Sequence, residues 1–268
     1  MRINLLAIML IGYLTSGCGE YEKILKSDNW DHKYDKALSY YDQEKYIKAV
    51  TLFEQILPRF RGTEKSERIN FLHAKSYYLM RNYIMAGHQF RTFRRTYANS
   101  EYAEEADYMS GYCYYKLSPR PSLDQEFTDK AINAFILFKT RYPLSERVKE
   151  CDLLINELRE KLTEKSYLNA KLYFNLGDFK AAKIAILNSL EDYPDTEFRE
   201  ELLFLKLRSQ FLLSENSIPE KQRERYQTTL DEYYSFIEEF PKSDYEKEID
   251  KIYESTVDFL NIETTNIN

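Results

Sequence analysis

Aromatic and small residues return along this chain at a set distance. "YDKALSYY" at 34–41, "FLHAKSYY" at 71–78, "YMSGYCYY" at 108–115 and "YLNAKLYF" at 167–174 share the form aromatic-x-x-small-x-x-aromatic-aromatic, and the first three copies are 37 residues apart. A fixed period of this length marks a repeat architecture, and the spacing of the apolar positions predicts helices. Each octet is followed, after a short polar break, by a second apolar-periodic run: "QEKYIKAVTLFEQI", "MRNYIMAGHQFRTF" and "NLGDFKAAKIAIL". In these runs a small residue (Ala49, Ala86, Ala182) stands twelve positions beyond the first small residue, and a large one (Phe53, Phe90, Ile186) four further on. Antiparallel helices cross closely only where side chains are small, so each octet and its sequel predict one helix pair with the large residues filling the space to the next.

The third pair is interrupted by "SPRPSLDQ" before "FTDKAINAFILFKTRYPLS", which restores the small residue at Ala131 and the large one at Phe135. A fifth, degenerate pair has Leu207 at the small position of "FLKLRSQF", with "YQTTLDEYYSFIEEFPKS" as its second helix. Second helices end in "TRYPLS", "EDYPDT" and "EEFPKS", where Pro stops one helix and Ser145, Thr196 or Ser243 is placed to cap the next. This is the tetratricopeptide pattern. It predicts an all-α solenoid of about five antiparallel helix pairs.

Composition agrees. Only 7 Gly and 7 Pro leave few turn positions for a sheet protein, while 24 Tyr and 16 Phe supply much of the apolar surface. With 38 Lys and Arg against 44 Asp and Glu the net charge is −6, and no basic stripe is longer than "FRRTY", so nucleic acid is not an expected partner. No catalytic constellation stands out. His32, His73 and His88 lack metal-ligand spacing, and there is no Gly-rich phosphate loop, nucleophile elbow or H-E-x-x-H. The chain reads as a binding scaffold rather than an enzyme, without cofactor or metal.

The first residues carry an address. "MRINLLAIMLIGYLTSGC" has one Arg, an apolar run too short to span a bilayer, and small residues before Cys18. The ending "LTSGC" resembles a bacterial lipobox, with Thr15 where Leu is commonest, and makes Cys18 the expected lipidation site after removal of residues 1–17. Gly19 rather than Asp follows, as in lipoproteins forwarded to the outer membrane, facing the periplasm. Cys113 and Cys151 sit in apolar helical contexts and are expected to be buried and free.

The lipobox, the five pairs, the interrupted third pair and "GDFKAAKIAILNSLEDYPDT" together resemble the BamD (YfiO-like) family of tetratricopeptide lipoproteins of the outer-membrane β-barrel assembly machinery. The resemblance implies a non-enzymatic protein that binds unfolded outer-membrane β-barrel proteins and docks to the periplasmic domains of BamA beside other subunits of the complex. The expected organisation is a signal peptide at 1–17, an anchor linker at 18–28, peptide-binding N-terminal pairs at 29–143, partner-docking C-terminal pairs at 144–262 and a tail at 263–268. In a tetratricopeptide array the first helix of each pair lines the concave face. That places Tyr34, Leu38 and Tyr41, then Phe71, Lys75 and Tyr78, then Tyr108, Tyr112 and Tyr115 in a groove, with Lys75 and Lys116 near its floor. Tyr40, Tyr77 and Tyr114 are assigned to core. A carbohydrate-binding lipoprotein of the SusD kind, or a regulator of a periplasmic hydrolase, would share the helices and exposed aromatics.

Overall fold

The computed structural model describes residues 19–261; the signal stretch 1–17, Cys18 and the tail 263–268 lie outside the described residues. The described residues form helices and no strands. After α1 (19–26) come α2 (Trp30–Asp42) with α3 (Tyr46–Ile56), α4 (Glu64–Leu79) with α5 (Tyr83–Thr96), and α6 (Ala103–Leu117) with α7 (Glu126–Arg141). Then follow α8 (Val148–Asn175), α9 (Phe179–Asp192), α10 (Arg199–Glu215), α11 (Pro219–Glu239) and the final α12 (Glu246–Leu260). These are the expected helix pairs, with α12 added after the fifth.

Within three pairs the same turn reverses the chain. Glu44, Arg81 and Gly177 adopt left-handed φ of 59°, 60° and 77°. The following amide reaches back five residues along the first helix, from Lys45 to the Tyr40 carbonyl (2.8 Å), Asn82 to Tyr77 (2.9 Å) and Asp178 to Tyr173 (3.1 Å). Only Gly177 adopts this conformation without steric cost. The next helix is then capped by side chains in two of these cases, Asn82 accepting from the Met85 amide and Asp178 from Ala181.

The small positions do what their spacing requires. Ala37, Ala49, Ala74, Ala86, Ala131, Ala170 and Ala182 are all fully buried. A methyl added to Gly111 would come within 3.1 Å of the Phe135 ring, and one added to Gly87 within 3.1 Å of Cys113 Cβ. Phe53, Phe90, Phe135 and Ile186 are sealed in the core beside them, and Leu207 is buried at the degenerate small position. Cys113 and Cys151 are buried and free, and burial pushes their thiols up to about 12 and about 11.

By compactness the described residues divide into one unit of those up to Pro119 plus Gln125–Leu158, and a second of Arg120–Asp124 plus those from Arg159 on. This moves the expected boundary from 143/144 into α8. The first turns of α8 belong to the first unit because Cys151, Ile155 and Leu158 are buried and Tyr115 and Lys139 bond Glu157 and Asp152. The insertion tip belongs to the second, Lys165 Nζ donating to the Ser122 and Leu123 carbonyls at 3.3 and 3.0 Å. Within the stretch expected as an anchor linker, residues 19–26 form α1. α1 buries Ile24 and packs Tyr21 and Leu25 onto the core of the first pair, because its apolar residues recur at helical spacing.

His73 on α4 is buried, its Nε2 3.6 Å from Glu54 Oε1, beyond hydrogen-bond reach, with its ring edge-on to Tyr77. Burial lowers its pKa below the ordinary 6.5, outweighing the attraction of the half-exposed Glu54. The unfolded chain therefore takes up a proton first. The stability held by the neutral ring is complete above about pH 6.5 and is lost as pH falls through the lower folded value. Melting temperature is expected to drop between pH 7.5 and 5.5, by up to about 1.4 kcal/mol of stability per pH unit. His73→Phe should flatten that slope; parallel slopes in the two proteins would clear His73 of the effect.

Candidate functional site

The octets of α2, α4 and α6 divide into two sets of aromatics. Those at the first position are core: Tyr34, Phe71 and Tyr108 are only 8%, 3% and 3% exposed, which removes them from the expected groove. The physical reason is a stack made once per pair, against the residue that opens the next first helix. Phe71 stacks on Tyr102 (4.7 Å, 19°), Tyr167 on Phe198 (4.2 Å, 10°) and Phe204 on Tyr245 (4.1 Å, 7°). Arg147 lies over Tyr108 at 4.2 Å and Lys65 over Tyr34 at 4.7 Å in the same role. Each such contact adds about 0.5–1.5 kcal/mol beyond burial.

The opening residue is held by the hydroxyl two positions before it. The amides of Tyr102, Arg147, Phe198 and Tyr245 donate to Ser100, Ser145, Thr196 and Ser243. These hydroxyls thus build the turn ahead of the helix, rather than capping its first turn directly. Ser145 and Ser243 in addition donate to Glu104 and Glu200 of the preceding pair, at 2.6 and 2.7 Å.

The remaining residues expected in a groove are half-buried or exposed, and several touch. Tyr112 stacks on Tyr115 (5.5 Å, 30°) and lies 6.3 Å from Tyr78, while Lys116 covers the rings of both Tyr112 and Tyr115 at 5.2 and 5.8 Å. Tyr115 donates to both oxygens of Glu157 at 3.0 and 2.9 Å. Leu38 and Tyr41 are half-buried against the first pair's core, Tyr41 edge-on to Tyr46 at 5.7 Å. Burial first, then Glu157, pushes the Tyr115 phenol up to about 12, and burial pushes Tyr41 equally far. Both therefore stay neutral donors at physiological pH.

Lys75 does not stand ready for a ligand carboxylate as expected. It pairs with Glu105 at 3.2 Å, as Lys171 pairs with Glu201 (2.7 Å) and Arg208 with Glu248 (3.4 Å) at the equivalent places of later pairs. Spacing within one octet could not show this, because the carboxylate comes from the next pair. Tyr40, Tyr77 and Tyr114 are half-buried rather than core, facing Tyr21, Glu54 and Phe127 respectively.

Periodicity also missed two surface features. In the second unit Tyr173, Ala181, Ile184, Ala185 and Asn188 line a hollow of about 410 Å³, with Leu172, Leu176 and Leu187 exposed on the same helices or at their ends. In the first unit a groove between α5, α6 and α7 gathers arginines. The only sequence signal for the first was the apolar excess of "AAKIAIL" beyond what one buried face needs. Among the described residues no group of three or more His, Cys, Asp or Glu could hold a metal, and no helix is long and apolar enough to cross a membrane.

Helix pairs with buried small crossing residues, joined by a stack repeated from pair to pair, define a tetratricopeptide-repeat protein. The profile of the family YfiO, described as outer membrane lipoprotein, matches residues 27–227, and the chain belongs to that family. No curated protein matches the chain. Among solved structures it is similar to the TPR2AB-domain:pHSP90-complex of yeast Sti1, with 14% identity over 85% of this chain and 98% of that one, at a TM-score of 0.38.

Proposed function

We propose that this outer membrane lipoprotein is a non-enzymatic component of the β-barrel assembly machinery that receives unfolded outer-membrane proteins on its first unit. Membership of the YfiO family supports the setting. The observation that carries the binding role is the strip of Tyr78, Tyr112, Tyr115 and Lys116, in which neutral phenols and one exposed cation lie side by side on two neighbouring first helices. Such a strip suits an extended peptide ending in an aromatic and a carboxylate, the ring packing on tyrosine and the carboxylate meeting Lys116. Burying one ligand aromatic is worth about 1.5–3 kcal/mol before ordering costs, so recognition is weak for a single pocket and needs the whole strip. Cys18 is the proposed lipid anchor and the second unit the proposed docking face for a BamA-like partner.

A labelled C-terminal β-barrel peptide titrated against wild type and Tyr78→Ala/Tyr112→Ala/Tyr115→Ala tests the binding role. At least a tenfold loss is expected. Equal affinities, with both proteins folded, would return these tyrosines to a purely structural role.

A further inference from the structure

The second helices of the first unit hold a feature that the first-helix strip does not use. Arg91, Arg94 and Arg95 of α5 and Lys130 and Arg141 of α7 line one groove of about 410 Å³ with a single carboxylate, Asp107 of α6. In a chain of net charge −6 this gathering runs against the overall balance. Like charges so placed repel, and the groove's own carboxylate answers only part of them. Asp107 accepts from Arg141 Nη1 at 3.0 and 2.8 Å and lies 3.9 Å from Arg94 Nε. That Arg94 Nε is buried and makes no hydrogen bond. Arg91 donates to the Tyr114 phenol, and Lys130 pairs with Glu126 on the exposed side of its own helix and lies over the Phe127 ring at 5.3 Å. Arg95 is exposed.

We infer that this groove binds an acidic peptide segment of a partner protein in extended form. Three properties favour a peptide over a small anion or a lipid headgroup. The cations are spread out: Lys130 and Arg141 lie three turns apart on α7, about 16 Å at the helical rise, which about five extended residues span. Between them Leu137 is half exposed and Asn133 is exposed, offering an apolar contact and an amide able to pair with a peptide backbone. Guanidinium forks dominate, and they pair carboxylates in two-pronged fashion where lysine offers a point charge. Partner carboxylates would relieve the repulsion among the arginines, so affinity should fall steeply with salt.

The test is a fluorescence-anisotropy titration of the labelled peptide Glu-Leu-Glu-Glu-Leu-Glu with the full chain in detergent at low salt. Binding is expected, with at least a tenfold loss in Arg91→Glu/Arg95→Glu and a smaller loss in Lys130→Glu, which guards against a misfolded double variant. The control Lys23→Glu/Lys26→Glu changes net charge equally at exposed sites elsewhere and should leave affinity unchanged. No binding, equal affinity in wild type and both groove variants, or an equal loss in the control would overturn the inference. So would a groove that takes inorganic phosphate or anionic phospholipid vesicles through the same arginines while ignoring the peptide. Because these substitutions leave the tyrosine strip intact, failure here is separable from failure of the substrate reading.

Discussion

Tyr173→Glu/Ile184→Glu is expected to abolish co-purification of the chain with the proposed BamA-like partner while helical content and melting temperature stay near wild type. Ile184 is 61% exposed and Tyr173 36%, and together they line the hollow between α8 and α9. Leu172, Leu176 and Leu187 extend the apolar surface along the same helices or past their ends. Exposed apolar clusters of this kind mark protein interaction sites, and a central aromatic or aliphatic anchor typically carries about 2–4 kcal/mol of an interface. Placing two carboxylates there removes both anchors and adds a desolvation cost, so a loss of more than a hundredfold is expected. Truncating the chain within α8 would be a poorer test, since its first turns complete the first unit. If the double variant still brings down its partner, docking resides elsewhere and the division of roles between the two units has to be reversed.

Cys18→Ser is expected to leave an uncleaved or soluble form in place of an outer-membrane one. The effect is large because each buried CH₂ adds about 0.8 kcal/mol, and a multiply acylated cysteine holds its protein at the bilayer effectively permanently. Partner docking alone could retain some protein at the membrane, so fractionation is best compared in the Tyr173→Glu/Ile184→Glu background. Outer-membrane fractionation of the combined variant at wild-type levels would rule out Cys18 as the anchor.

Both variants probe surface, and surface is where the sequence was least legible. The crossing points were plain: every alanine predicted at a small position, from Ala37 to Ala182, is fully buried, and the interrupted third pair resumes at Ala131 and Phe135 as expected. The exposure of the expected groove residues was half legible. Tyr112 and Tyr115 touch and stay accessible, but Tyr34, Phe71 and Tyr108 are core, and Lys75 is paired with Glu105. Octet position says which way a side chain leaves its helix. It does not say what the next pair lays over it.

That distinction runs through the whole molecule. Helices, pair boundaries and crossing residues follow from local periodicity and side-chain size, because a helix must bury one stripe and two helices approach only where that stripe is small. The stacks of Tyr102, Phe198 and Tyr245 on the preceding pair, the docking of α1, the division within α8 and the gathering of five cations around Asp107 depend instead on residues distant in sequence. A contact between two pairs has no period of its own along either one, so only packing the pairs together reveals which tyrosines and arginines remain for a partner.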